Sequence, residues 1–438
     1  MKMLLNPSFR NSFLRNSLIQ FIWWVIFFPG FFSSDSFAAV QMAKSGELGN
    51  SFTASWALYV RIFSFHGNAI ALLTLINGLI LVYSVTRLGY AIFSARTAAS
   101  SSFLLTLTPV VSGMGITLWH DILMSAGILL ITSFFINIKK DSDQLKKLTF
   151  LELVPGGILA SFRPNGLPTI LVFAIFYSIF IFFRHRSQIM QTIKMLTKVA
   201  LVTTLVTIFS SNVILGISPI NGSFAKQWMQ FDISCYASTP SGSEFVEKNI
   251  PGIGTTDTWK SAEACNFISR AQISSEDAVL AERFIIPAWM QILKVDPLFI
   301  GKTHLKRHAY LNPLPIFGIP KAPFLHSNIE FKDQGIDWKF PEVANKARNL
   351  MRVWNGARGL TGWAGLWFLL TIGLTKLGNR ERLVPPILMG ISLMSILFVV
   401  APIPDGRYVL FVLITGQLIF IGSIFDFLNR FRRVKLKL

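Results

Sequence analysis

Ten stretches of this chain are apolar over lengths close to those that cross a lipid bilayer, near residues 18–33, 68–92, 102–119, 122–137, 149–162, 166–183, 199–217, 359–375, 384–401 and 408–427. A crossing helix needs roughly 20 apolar residues. Within the hydrocarbon no water satisfies the backbone, so a segment must satisfy its own amides and carbonyls as a helix does. The chain therefore reads as an all-α integral membrane protein with about ten transmembrane helices. Composition agrees, with 52% hydrophobic and 14% charged residues among 438, where a soluble domain carries about 25% charged residues. Stretches 122–137 and 149–162 are the weakest of the ten as full spans.

The formal charge of +19 suggests a nucleic-acid binder until its placement is considered. Basic residues recur in every second gap between apolar stretches: Lys2, Arg10 and Arg15; Arg87 and Arg96; Lys139 to Lys147; Arg184 to Lys198; Lys376 to Arg382; and Arg430 to Lys437. The one long polar segment, 218–358, holds 16 Lys/Arg against 13 Asp/Glu, leaving +16 of the +19 to the rest of the chain. A nucleic-acid binder concentrates charge on a folded domain. This distribution is the positive-inside pattern, with contact to anionic lipid headgroups. It places both termini in the cytoplasm and requires an even number of spans.

The resulting organisation is an N-terminal transmembrane module, 1–217, with a first outer loop at 34–66. A large outer segment follows at 218–358, periplasmic or extracellular, and C-terminal helices with a basic tail occupy 359–438. A cleaved signal peptide is the alternative for the first stretch, with small residues around Ser36, Ala38 and Ala39. It would remove Asp35 and leave an odd number of spans, so a retained first span is preferred. Cys235 and Cys265 both fall in the outer segment, where an oxidising compartment favours a bridge between them. No CxxC or Cys/His set marks a zinc site. Within this segment 276–294 reads as helical, and the Gly/Pro-rich stretches 239–254 and 312–323 read as loops.

Polar residues at span ends are candidates for function because they are costly at membrane depth. Asp35 follows the exit of the first span; it is either a loop acid or the N-cap of a helix over 36–44. The next stretch, 37–65, with Trp56, Tyr59, Phe63 and Phe65, reads as a helix lying on the outer interface. Trp119-His120-Asp121 sits in a short connection between apolar stretches. It is suited to bind a metal, activate a hydroxyl or orient a phosphate, or else is a solvated turn. Arg163-Pro164-Asn165-Gly166 forms a turn whose arginine matches anionic oxygens or simply snorkels. Asp405-Gly406-Arg407-Tyr408 enters the last span, where Arg407 and Asp405 can pair with each other. A basic run, Lys302, His304, Lys306, Arg307 and His308, follows an apolar segment at 284–301 and reads as a solvated face or a holder of lipid phosphate. Acids and arginines converging on one outer zone suit a reaction on a lipid-linked anionic substrate, with a carboxylate taking a proton from a hydroxyl and cations holding the departing phosphate.

In this layout the chain resembles the GT-C class of polyprenyl-phosphate-dependent glycosyltransferases, which includes protein O-mannosyltransferases and aminoarabinose transferases. The resembling elements are Pro29-Gly30 followed by Asp35, the Ser45–Asn50 stretch before an aromatic helix, Trp119-His120-Asp121, Arg163-Pro164-Asn165-Gly166, Asp405-Gly406-Arg407-Tyr408, and a large outer segment after the seventh stretch. The likeness is closest to bacterial members with a Trp-[Lys/His]-Asp and an Arg-x-Asn-Gly signature. It covers most of the chain by layout and only short motifs by residue.

The resemblance implies Asp35 as catalytic base and Asp121 as a second acid positioning substrate or metal. It implies Arg163 and Arg407 as phosphate ligands, with His120, Asn165 and Tyr408 at the substrate. The implied donor is a sugar on polyprenyl phosphate or pyrophosphate, and the acceptor a glycan, lipid or protein. Transfer would occur with inversion at the outer face of the cell (inner) membrane, without nucleic acid. In the class the first-loop acid is often Asp-Glu or Asp-x-Asp, or is followed by His-Pro. Here it is Asp35-Ser36, which weakens a metal in that loop and leaves Glu47 as a second acid to consider. A divalent metal ion therefore stays open as a cofactor. Competing readings are a lipid or solute transporter, which would bury charges at mid-membrane and often shows inverted repeats, and a polysaccharide polymerase or ligase.

Overall fold

The computed structural model describes residues 7–46, 53–138, 142–210, 227–250, 265, 275–311, 337–356, 364–374, 380–400 and 406–435. Among them the chain is helical, with a single parallel bridge, Phe31 to Thr117. The first helix, α1 (Pro7–Ile26), is inside-out by the standards of a soluble protein. It buries Ser12, Asn16 and Gln20 and turns Leu14, Leu18, Phe21, Ile22 and Val25 outward. Lipid tails are as apolar as leucine, so a membrane helix gains by hydrogen bonding inward and exposing its apolar side. The Asn16 amide donates to Thr86 and Ser102 hydroxyls, each at 3.1 Å, and Gln20 donates to the Ser112 carbonyl at 3.2 Å.

The expected single interfacial helix over 37–65 is two helices, α2 (Ser34–Ser45) and α3 (Ala54–Phe63). Gly46, at φ 78°, ends α2 with its amide on the Met42 carbonyl, a left-handed position that glycine takes without strain. Glu47 lies outside the described residues. α4 (Ile70–Ile92) fills the expected stretch. The stretch 102–119 is broken into α5 (Ala95–Thr106), one turn at Ser112–Gly115 and an extended run to Trp119. Pro109 disfavours helical geometry at Thr108, and this ends the helix.

α6 (His120–Ile136) is the centre of the bundle, with every residue from His120 to Phe135 buried. It meets a segment that runs from α7 (Ser142–Leu148) through a π-helical turn (Thr149–Leu153) into α8 (Val154–Ala160). A Cβ on Gly127 of α6 would stand 2.6 Å from the Gly156 carbonyl of α8, so only small residues permit this approach. The π-turn carries Glu152, whose Oε1 accepts from Arg87 Nε at 2.6 Å, both side chains 1% exposed. Arg87, counted from sequence among the cytoplasm-facing basic residues, is instead buried inside the bundle. α9 (Gly166–Arg184) and α10 (Ile189–Ile208) face outward with Ile175, Ile179, Phe183, Leu201 and Leu205.

The segment 218–358 contributes α11 (Gln227–Ala237), α12 (Pro240–Asn249), α13 (Ser275–Val295), α14 (Pro297–Leu311) and α15 (Pro341–Gly356) among its described residues. Its own small core joins Ile233, Tyr236, Val246, Ile285, Ile292 and Ile300. Part of the expected loop 239–254 is thus helical. Thr239 accepts the Gly242 amide at 3.2 Å and Pro240 sits at the first helical position, both helix-start signals. The stretch 312–323 is outside the described residues. The chain closes with α16 (Ala364–Leu374), α17 (Arg380–Val400), a 3-10 turn (Gly406–Val409) and α18 (Leu410–Lys435).

His304 is not part of a solvated face. Its Nε2 lies 2.8 Å from Asp232 Oδ2 and its Nδ1 lies 2.8 Å from the Phe398 carbonyl, fastening α11 and α14 to α17. Cys235 and Cys265 are joined in a disulfide that closes a loop with a sequence separation of 30. Opening a loop of that size costs about 3–4 kcal/mol by chain entropy. A Cys235→Ser/Cys265→Ser variant is expected to melt at lower temperature in detergent, as followed by scanning fluorimetry.

Among the described residues five helical stretches are long and apolar enough to cross a membrane: Ile70–Ile92, Gly166–Arg184, Arg186–Ile208, Glu381–Val400 and Arg407–Asn429. A sixth is counted if the pair Arg283–Val295 and Pro297–Leu305, bent by 103°, forms one span. Of the remaining expected spans, α1 is an unbroken 20 residues with polar side chains along it, and three others are shorter or interrupted. α6 has 17 residues, 102–119 is broken, and 149–162 is a π-turn joined to a seven-residue helix. The protein is a multi-pass membrane chain on these helices.

Candidate active site

The site is built where α1, α6, α9 and α18 have ends on a common side. After α1 the backbone of Phe31 pairs with 116–118: its amide donates to the Ile116 carbonyl and its carbonyl accepts from Leu118, each at 3.0 Å. Gly30, at φ 125°, makes this approach possible; a Cβ there would lie 2.7 Å from the Ile116 oxygen. The chain then enters α2 with Ser33 as N-cap, so Asp35 lies in the first turn and is not the cap. Ser36 Oγ accepts the Ser33 amide at 3.0 Å and donates to the Leu118 carbonyl at 2.8 Å. The Trp119 indole donates to Ser33 Oγ at 2.6 Å. These bonds lock the start of α2 to the segment carrying His120 and Asp121.

Trp119-His120-Asp121 is not a solvated turn: His120 and Asp121 open α6 and are buried. A carboxylate in the first turn is favoured by the positive end of the helix dipole. Asp121 is ion-paired with Arg163, and its Oδ2 lies 3.7 Å from both His120 Nε2 and Arg407 Nε. Arg407 Nη1 donates to Asp35 Oδ2 at 2.7 Å. Arg407 therefore bridges the two acids. Asp405, its other candidate partner, lies outside the described residues. Arg163 stands over the Tyr408 ring at 4.1 Å, and Arg407 stands 4.9 Å from the Trp119 ring and 5.4 Å from that of Tyr408, distances at which an aromatic face attracts a guanidinium.

The structure thus brings together Asp35, His120, Asp121, Arg163, Arg407 and Tyr408. Asn165 is buried at the start of α9, and its amide nitrogen and oxygen have no hydrogen-bond partner among the described residues. The disulfide Cys235–Cys265 belongs to the segment 218–358 and touches none of these side chains among the contacts described. Sequence reasoning missed the supporting hydroxyls. Ser33 and Ser36, three apart ahead of a helix, carry the spacing of a capping pair and were the available signal.

An apolar groove of about 490 Å³ runs beside the cluster, between α3, α8 and α10. Leu58, Tyr59, Ile62, Phe162, Leu205 and Phe209 line it. Thr53 Oγ1 donates to the Phe162 carbonyl at 2.7 Å and Ser55 Oγ to the Ser161 carbonyl at 2.8 Å, holding α3 on the segment that carries Arg163. The Trp56 ring lies 6.0 Å from His120 and 5.9 Å from Phe162, a residue that lines the groove.

The cluster does not fit a divalent ion in this arrangement. A guanidinium, Arg407, stands between the two carboxylates where a bridging cation would sit, and among the described residues no three His, Cys, Asp or Glu side chains converge as metal ligands. No step is derived through a metal.

No protein-family model matches the chain, and no curated protein does. Among solved structures it is similar to the archaeal oligosaccharyltransferase AglB from Archaeoglobus fulgidus in complex with an inhibitory peptide and a dolichol-phosphate, at 14% identity and a TM-score of 0.48, over 99% of this chain and 52% of that one. It is similar to the same archaeon's oligosaccharyltransferase in complex with Zn and sulfate at 13% identity and a TM-score of 0.45, over 96% and 49%. A third likeness is to ArnT from Cupriavidus metallidurans bound to undecaprenyl phosphate, at 15% identity and a TM-score of 0.40, over 93% and 77%. The chain spans about half the length of the oligosaccharyltransferase it is similar to.

Proposed function

We propose that the protein is a membrane glycosyltransferase that moves a sugar from a polyprenyl-phosphate donor to an acceptor hydroxyl at the outer face of the membrane. The observation that carries this reading is a cluster of two acids and two arginines near an apolar groove that is lined in part by Phe162, the residue before Arg163. Phosphate oxygens match the arginine forks, and an isoprenoid tail matches a groove lined by Leu58, Ile62, Leu205 and Phe209.

In this reaction Asp35 takes the proton of the acceptor hydroxyl as its oxygen forms the new bond to the anomeric carbon. The bond from that carbon to the phosphate oxygen breaks, and the polyprenyl phosphate leaves with the electron pair. Arg163 and Arg407 hold the charge that develops on it. A single displacement of this kind inverts the anomeric centre. Asp121 keeps Arg163 and Arg407 in place, and Tyr408 and Trp119 support the guanidiniums from their faces. His304 ties α11 and α14 to α17.

The test is release of label from a panel of radiolabelled polyprenyl-phosphate sugars by the purified protein in nanodiscs, with candidate glycan, lipid and protein acceptors supplied. Release from one donor class that requires an acceptor establishes the reaction. Lipid flipping without release from any donor would instead favour a transporter. Arg163→Ala is expected to weaken donor binding by about tenfold or more, since a charge-assisted hydrogen bond contributes about 1.5–3 kcal/mol. Unchanged affinity would assign Arg163 to holding Asp121 alone.

A further inference from the structure

We infer that Arg407 couples the two halves of the proposed reaction: the donor phosphate takes Arg407 from Asp35, so that the base is released only when the donor is bound. The inference rests on the donor reading above and adds an order of binding to it. Three observations carry it.

The first is occupancy. Asp35 Oδ2 accepts an N–H of Arg407 at 2.7 Å, so an oxygen that would receive the acceptor's proton is already engaged. The second is charge. Asp35 and Asp121 offset Arg163 and Arg407, and a phosphate entering this balanced cluster must draw a guanidinium away from a carboxylate. The third is which pair can open. Asp121 is 0% exposed against Arg163, and a buried acid has nowhere else to turn. Asp35 is 37% exposed and can rotate to water.

Arg407 need not travel far. The faces of Trp119 and Tyr408 and its 3.7 Å contact with Asp121 keep it in the site while its Nη1 changes partner. Phosphate competes well for that nitrogen because it offers more oxygens and more charge than one carboxylate. Asp35, free of the guanidinium, then meets the acceptor. An acceptor arriving before the donor finds its base engaged, which prevents unproductive chemistry in an empty site.

The experiment is binding of polyprenyl phosphate, which carries no sugar and cannot turn over, to full-length protein in nanodiscs. Wild type, Asp35→Asn, Arg407→Gln and the double variant are compared after size-exclusion confirms each is monodisperse. Removing the competing carboxylate is expected to tighten binding in Asp35→Asn by about fivefold or more, the low end of ordinary coupling between sites. Arg407→Gln should bind more weakly, and adding Asp35→Asn to it should restore nothing. An Asp35→Asn affinity equal to wild type overturns the inference while leaving the donor reading intact. A gain of the same size in the Arg407→Gln background also overturns it, since plain repulsion between Asp35 and phosphate would then suffice. Wild type that does not bind polyprenyl phosphate overturns the donor reading and this inference with it.

Discussion

Asp35→Asn is expected to lower sugar transfer by about 10²–10⁴-fold, the contribution of a positioned general base, without unfolding the protein. The substitution keeps the size of the side chain and the first turn of α2, whose cap is built by Ser33 and Ser36 and does not use Asp35. It loses one ion pair in which the acid is 37% exposed, and such pairs contribute about 0–1 kcal/mol. Arg407 retains Asp121. Turnover should therefore collapse at an unchanged melting temperature. A variant that transfers sugar at the wild-type rate removes Asp35 from the chemistry. Asp121→Asn tests the other acid, with a different signature: it strips Arg163 of a buried partner, so stability and donor binding should fall together.

Glu152→Ala should destabilise the protein by about 3–5 kcal/mol, because it leaves Arg87 charged and buried without its partner. The pair is 1% exposed on both sides, and Arg87 Nη1 and Nη2 find no hydrogen-bond partner among the described residues, so nothing nearby replaces the carboxylate. Replacing both residues, as Arg87→Met/Glu152→Met, should recover most of the loss, since an apolar pair of similar volume is often as stable as the ion pair. Thirteen helical residues, about 20 Å, separate Arg87 from Thr74, whose hydroxyl donates to the Pro29 carbonyl beside the site. The double variant is therefore expected to turn over near the wild-type rate. Thermal unfolding in detergent together with a transfer assay checks both statements; a Glu152→Ala variant of undiminished stability would show that the buried arginine finds another counter-charge.

Much of this molecule is legible in its sequence, and the failures have physical causes. Hydropathy finds α4, α9, α17 and α18 because each is an unbroken apolar run. It misjudges 102–119, where Pro109 interrupts a run whose average is still apolar. It misjudges Arg87 as well, since a basic residue buried against a distant carboxylate reads in one dimension like one facing the cytoplasm. Asp35, Asp121, Arg163 and Arg407 stand out as charges at the ends of apolar stretches. Their pairing does not, because Arg407 meets an acid 372 positions away, a contact that only the fold creates. The run around His304 misleads for the same reason: its counter-charge, Asp232, and the Phe398 carbonyl are brought to it only by the fold.

The burial of α6 on every side has a consequence for how the protein meets different membranes. Helices that touch lipid answer to bilayer thickness by tilting or by moving their anchoring residues. α9 and α10, with Phe183 and Leu205 turned outward, are subject to that adjustment. α6 touches only protein, so a thinner or thicker membrane has no direct hold on it. The depth of Asp121 is thus set by the bundle, and a change of lipid would shift the outer ring of helices around a reaction centre whose height stays constant.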